Sequence, residues 1–385
     1  MTAPGYRISL LWPTLESYHL ARLRSLHERL GSRVMGLEFV DRGGDDNTGA
    51  WRPDPGHSLP IQTVMPGRSM VDVDRGELGA AIIDKLTDLA PDIIFLNGYS
   101  TKELRMVIRW AKANKKHCFT FFESKTDDFR RYEIVEWVKR WILRDVDGAI
   151  CGGEAHKRYA TSLGLPASKV VLGYDVVDNS YYERTATEVL GSSAHDMIDP
   201  KAPRKYFLSV SRFVEKKNLA GLLTAYKAYR SMPGAEPWGL VLCGSGPLNQ
   251  SLRDQVVADS IPDVFFPGVI MGRQLVAYYA HASALVLAST TEQWGLVVNE
   301  AMAAGVPVIV SKAAGSASEL VIDEDTGLTI DPNNTRQIAE TLSKMVRMSE
   351  SERTAMALRG RRRVNDRCPL SAFADGVIRL CESVV

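Results

Sequence analysis

No run of about 18 apolar residues, the length a bilayer-spanning helix requires, occurs in the 385 residues. Segment 1–13 offers only a single Arg before a five-residue apolar run, too short for a secretory signal. Charge of one sign is not in excess either: 47 Lys and Arg stand against 46 Asp and Glu, a net charge of +1. So balanced a chain has no global field to gather nucleic acid, and any polyanion site has to be local. Cysteine is scarce. The five present, Cys118, Cys151, Cys243, Cys368 and Cys381, are odd in number, widely spaced and mostly set in apolar runs such as Val241-Leu242-Cys243. They read as reduced core thiols and not as a disulfide framework or a zinc site. Internal repeats, low-complexity tracts and a glycine fingerprint after Leu11 are absent as well, and the last of these disfavours a nicotinamide dehydrogenase. A cytoplasmic protein is expected, with weak peripheral association at the inner face of a membrane left open. The basic run Arg359, Arg361, Arg362 and Arg363 on a late helix is either a solvated face or a contact for an anionic surface.

What is present is the material of an ordinary globular protein, 45% hydrophobic and 24% charged. The length exceeds what one core usually serves, so two domains are expected. Short apolar strands alternate with amphipathic helical stretches throughout, the pattern of βαβ units and parallel sheets. In the first half, strands are read at 7–11, 34–39, 93–96, 117–122, 148–151 and 170–172, with helices near 18–30, 76–89, 102–114 and 132–144. From about 184 to 204 periodicity lapses into ERTATEVLGSSAHDMIDPKAPR, read as a linker or long surface loop. A second run has strands at 206–210, 238–242, 264–266, 284–287, 306–310 and 328–330. The expected architecture is α/β, with doubly wound domains at 1–185 and 206–365 facing a cleft, a linker at 186–205, and a final helix within 366–385 packing back on the first domain.

The most informative stretch is 289–305, STTEQWGLVVNEAMAAG, between two apolar strands. A loop carries Glu292, a helix opens near Gly295, and Glu300 lies between one and two turns inside it. Gly295 allows close approach of a ligand, while the N–H groups of Leu296, Val297 and Val298 point out of the helix start, where an anion such as a diphosphate is favoured. Two carboxylates beside it suit vicinal hydroxyls of a sugar or ribose. A second cluster, SRFVEKKNL at 211–219, puts Arg212 and Lys217 at the carboxyl end of the second domain's first strand, as fixed cations for a pyrophosphate or as a solvated charged loop. Third, the turn Gly244-Ser245-Gly246 either brings backbone near a nucleotide or only makes a corner. Val269 and Ile270 follow a strand end whose main chain could meet a base edge.

Taken together, SRFVEKKNL, LCGSGPL, FFPGVI and TEQWGLVVNEAMAAGVPVIVSKAAGSASELV, in this order, resemble the retaining glycosyltransferases of family 4 over about 206–332. The resemblance implies the GT-B fold, a nucleotide-sugar donor with UDP favoured, a hydroxyl acceptor held by the N-terminal domain, and hexosyl transfer without a metal or other cofactor. It implies that Arg212 and Lys217 grip the diphosphate and that Glu292 contacts the donor sugar. Glu300 would hold the ribose, Gly295, Leu296 and Val297 would offer backbone N–H groups, and Val269 and Ile270 would pair with the base. Gly244 and Gly246 would border the donor, and Glu319 is a secondary candidate.

The N-terminal half departs from the family's pattern. In LLWPTLESYHLARL, Trp12, Tyr18, His19 and Arg22 stand where many relatives have a glycine-rich loop, and Glu123-Ser124-Lys125 stands where many have a His. Trp12, Tyr18, His19 and Glu123 are therefore the acceptor-side candidates, and Gly152-Gly153 either lines the site or turns the chain. Asp72-Val73-Asp74 and Asp127-Asp128 read as caps or turns and not as metal ligands. Competing readings are another enzyme on the same fold, such as a nucleotide-sugar epimerase or a phosphorylase, and a relative that binds sugar nucleotides without turning them over.

Overall fold

The computed structural model describes residues 5–42, 59–191, 197–233 and 236–385. They form two units, 1–177 with 370–385 and 178–369.

In the first unit, the chain runs β1 (Ile8–Trp12), α1 (Ser17–Leu30), β2 (Val34–Arg42), β3 (Ile61–Ser69), α2 (Arg75–Leu89), β4 (Ile93–Leu96), α3 (Lys102–Ala113), β5 (His117–Phe122), α4 (Glu133–Leu143), β6 (Gly148–Cys151), α5 (Glu154–Ser162) and β7 (Val170–Leu172). The sheet is parallel, in the order β3-β2-β1-β4-β5-β6-β7. Apart from the buried Ser9, apolar residues fill β1 and β4 on both faces, as a sheet covered by helices on either side requires. β3 was not read from the sequence. Its Pro66-Gly67 pair and polar content signal a turn, but β3 is an edge strand, where a missing N–H is tolerated.

The second unit opens with α6 (Asn179–Gly191), which occupies the start of the segment expected to be linker. Thr185, Ala186 and Val189 are its buried side, and it packs on helices that follow it by about a hundred residues, so no local pattern announces it. Then come β8 (Tyr206–Val210), α7 (Leu219–Arg230), β9 (Gly239–Cys243), α8 (Asn249–Ala258), β10 (Val264–Gly268), α9 (Gly272–His281), β11 (Ala284–Leu287), α10 (Leu296–Ala304), β12 (Val308–Ser311), α11 (Gly315–Leu320), β13 (Leu328–Ile330), α12 (Thr335–Arg347) and α13 (Glu350–Arg367). This sheet is also parallel, in the order β10-β9-β8-β11-β12-β13. In both units the order reverses beside the first strand of the sheet, between β1 and β4 and between β8 and β11, and the carboxyl ends flanking such a reversal are where doubly wound sheets bind ligands.

The last helix, α14 (Ser371–Glu382), belongs to the first unit. It buries Phe373, Val377 and Leu380 and packs against α1, β6 and β7.

Candidate active site

In the second unit, the loops at the carboxyl ends of neighbouring strands are hydrogen-bonded one to the next. The Gly244 N–H donates to the Gly268 carbonyl at 2.8 Å, and the Phe213 N–H to the Ser245 carbonyl at 2.7 Å. Across the reversal point, the Thr290 N–H donates to the Lys216 carbonyl at 2.9 Å. Beyond it, the Gly315 N–H donates to the Glu292 carbonyl at 3.2 Å, and the Ser316 N–H to the Trp294 carbonyl at 3.1 Å. Residues far apart in the text are thereby drawn into one ridge of main chain.

On this ridge, the Lys217 ammonium pairs with the Glu292 carboxylate, and the Ser289 hydroxyl donates to the same oxygen at 3.1 Å. Lys217 ends a 3-10 turn, Glu215–Lys217, and Glu292 is buried. Gly295 caps α10 with φ 94°, and a side-chain carbon there would lie 2.8 Å from Leu287 Cδ2 and 3.3 Å from Glu292 Cγ. Only glycine fits. In the first turn of α10 the Val298 N–H, expected to point out of the helix start, is taken up by the Gly295 carbonyl at 2.9 Å, which leaves the N–H groups of Leu296 and Val297 as the donors next to the Lys217–Glu292 pair. Arg212 is exposed on the same loop as Lys217.

Gly244 and Gly246 do make a corner, and a demanding one. Their φ values are 138° and 153°, and an added carbon would collide with the main chain of Ser211 and Phe213, the residues flanking Arg212. Beyond Gly268, Val269 is exposed and Ile270 half-buried.

Glu300 is half-buried and its carboxylate is already engaged. The Tyr279 hydroxyl donates to it at 2.6 Å, and Tyr182 hydrogen-bonds it too. Burial pushes its pKa above the usual carboxylate value, against the downward pull of the two tyrosines. Glu319 pairs with Arg367 of α13 at 3.0 Å, and its carbonyl accepts from Arg363, which makes it a tie between helices.

Sequence reasoning missed Tyr182, Tyr279 and Asn218. Asn218 takes the left-handed conformation at φ 55°, and its amide donates to the carbonyls of Pro332 at 2.8 Å and Ala288 at 3.2 Å. An Asn directly before a helix is a signal for such a junction, whereas the two tyrosines read as core aromatics.

In the first unit, the acceptor-side candidates divide. Trp12 is buried, stacked on Phe121 with centroids 5.2 Å apart, and its indole N–H donates to the Tyr174 hydroxyl at 3.3 Å. His19 is buried too. Its Nδ1 accepts the Glu16 N–H at 3.2 Å in a capping box, and burial together with Arg22 holds its pKa well below the usual value, so the ring is neutral. Trp12 and His19, both among the acceptor-side candidates, thus serve in packing and in capping α1. Tyr18 and Glu123 are half-buried.

Glu123 hydrogen-bonds the buried carboxyl of Asp175. Burial first, and the Glu123 charge second, push the Asp175 pKa well above the carboxylate range, although Arg22 pulls the other way. Arg22 is itself buried, its Nη2 3.9 Å from Asp175, its Nε donating to the Val176 carbonyl at 3.2 Å, and its Cζ 4.3 Å from the centre of the Tyr174 ring. A carbon on Gly152 would land on the Asp175 carboxylate.

The acidic pairs weighed as metal ligands serve otherwise. The Asp74 carboxylate caps α2 by accepting the Gly76 and Glu77 N–H groups, and Asp127 and Asp128 both pair with Lys125.

Residues 195–363 match the family model described as Glycosyl transferases group 1. The chain is 28% identical over 180 residues to the alpha-monoglucosyldiacylglycerol synthase of Streptococcus pneumoniae, covering 46% of this chain and 40% of that protein. It is 31% identical over 167 residues to a GDP-mannose-dependent alpha-(1-6)-phosphatidylinositol monomannoside mannosyltransferase of Mycobacterium tuberculosis, covering 41% and 42%. The match thus spans about two fifths of the length of these curated relatives. Among solved structures, Anabaena HepE in complex with UDP-glucose superposes with a TM-score of 0.75 at 15% identity, covering 99% of this chain and 100% of that one. The alpha,alpha-trehalose 6-phosphate synthase of Burkholderia multivorans gives 0.76 at 16% identity, covering 98% and 97%. At such identities the likeness is one of fold, two parallel Rossmann-like sheets of the GT-B kind.

Proposed function

We propose that the chain, whose residues 195–363 match the group 1 glycosyl transferases, moves a hexose from a nucleoside diphosphate sugar to an acceptor hydroxyl with retention of configuration. The observation that carries this reading is the Lys217–Glu292 pair beside the glycine-capped start of α10. A diphosphate at that helix start meets backbone N–H groups, the Lys217 ammonium and the exposed Arg212 guanidinium. As the sugar–phosphate bond loosens, charge grows on the diphosphate, and preorganised donors stabilise it more than they stabilise the substrate. Glu292 holds Lys217 in place and contacts the sugar hydroxyls, and Glu300, set by Tyr279 and Tyr182, takes the ribose. Val269 and Ile270 meet the base through main chain. The acceptor hydroxyl attacks on the face the diphosphate leaves, and its proton passes to the departing phosphate oxygen, so that neither a side-chain nucleophile nor a metal is required.

UDP-glucose is the first donor to test, because HepE was solved with it, and GDP-mannose the second, because it serves the mycobacterial relative. The first unit is assigned the acceptor, with Tyr18 and Glu123 as its polar contacts.

In the test, Lys217→Ala and Glu292→Ala are compared with wild type for sugar release from these donors with and without acceptor. Each substitution is expected to cut turnover at least about 100-fold, the scale of losing one preorganised donor, with melting temperature little changed. Near-wild-type turnover in both variants would defeat the proposal. Donor turnover that needs no acceptor and yields an epimerised nucleotide sugar would favour the epimerase reading.

A further inference from the structure

α4 wears its apolar side outward. Ile134, Trp137, Val138 and Trp141 recur at the spacing that aligns side chains along one face of a helix, and all four are exposed, Ile134 by 68% and Trp137 by 58%. Phe129 and Tyr132, just before the helix, are exposed by 69% and 54%. The inward side is secured independently of this stripe. The Lys139 ammonium reaches Glu136 at 2.7 Å and the Tyr159 hydroxyl at 2.8 Å, Arg131 lies over the Tyr159 ring, and Ile142 and Leu143 are buried. The stripe is therefore a held surface and not a frayed core element. Contiguous apolar patches of this kind on a water-soluble surface mark interaction sites.

Cations border the stripe. Arg130 lies 5.5 Å from the centre of the Tyr132 ring and Arg144 5.8 Å from that of Trp141, while Arg140 is exposed nearby. Of the five basic and two acidic residues in 129–144, Arg131 and Lys139 serve the inward side, which leaves Arg130, Arg140 and Arg144 exposed against the single exposed carboxylate of Glu133. Tryptophans and aliphatics on one side with arginines at the margin are the chemistry of a helix lying in the headgroup region: rings enter the acyl boundary while guanidinium groups meet phosphates. A second copy of this chain would oppose the same arginines to themselves, whereas an anionic bilayer complements both halves of the surface.

We propose that α4 and residues 129–132 dock the protein on an anionic membrane surface, with Trp137 and Trp141 inserted at the level of the headgroups. This does not rest on the transferase reading, since it concerns other residues and is read out by a different measurement.

The test is co-sedimentation of the full chain with vesicles of phosphatidylglycerol and phosphatidylcholine, beside vesicles of phosphatidylcholine alone, for wild type and for a Trp137→Glu, Trp141→Glu double variant. Wild type is expected to bind the anionic vesicles, with tryptophan emission shifting to the blue, and to lose at least tenfold in affinity on the neutral ones. The double variant, folded by circular dichroism and with nucleotide binding unchanged, is expected to lose at least tenfold on anionic vesicles. Absence of wild-type binding at low salt, equal binding to neutral vesicles or undiminished binding by the variant would overturn the proposal. So would a wild-type dimer that the double substitution splits.

Discussion

Asp175 is buried beside Glu123, and its raised pKa has a direct consequence for stability. A carboxyl that keeps its proton in the fold but loses it in the unfolded chain favours folding most at pH below its ordinary value of 3.8. That contribution fades as pH rises toward the folded-state pKa. Asp175→Asn keeps an N–H donor for Glu123 and cannot ionise. Melting curves from about pH 4 to about pH 8 should therefore show the variant gaining on wild type as pH rises. Parallel curves would mean that Asp175 is ionised in the fold. Sequence reading singled out Glu123 and the Gly152-Gly153 pair but not Asp175. Glu123 follows β5, Asp175 follows β7, and they meet across the end of β6 because Gly152 has no side chain to block them. A carboxyl pair assembled by sheet order leaves no mark in local spacing. That Glu292 and Gly295 lie side by side was legible because they share one loop, whereas Asn218 and Tyr182 act on partners distant in the chain.

Among the elements, those whose sides alternate by local rule were read well: the strands of both sheets except β3, and α1 through α4 except for their ends. α6 and β3 were not, since one takes its stability from later helices and the other from an edge position. α14 sits close on the first sheet because Gly376 faces it without a side chain. A carbon there would lie 2.7 Å from Ile150 Cδ1 and 3.0 Å from the Leu172 carbonyl. Gly376→Val should therefore cost about 1–3 kcal/mol by overpacking, seen as a lower melting temperature of the first unit. Nucleotide binding by the second unit should be retained. An unchanged melting temperature would show that α14 shifts freely on β6 and β7.

For the whole molecule, the second unit is continuous in sequence and has its own sheet and apolar core. Residues 178–369 alone are expected to fold cooperatively and to bind UDP or GDP within about tenfold of the affinity of the full chain, as calorimetry would measure. Failure to fold would mean that this unit leans on the first. The division into two α/β halves was legible from length and alternation alone, and a final helix packing back on the first domain was expected as well, but not which residues of α14 would be buried there. Because residues 370–385 complete the first unit, its assembly is split in time. At roughly 5–20 residues per second, a ribosome spends on the order of 10–40 s making the intervening stretch. During that interval the bay awaiting Phe373, Val377 and Leu380 is bare, which makes the nascent first half a client for chaperones until the final helix emerges.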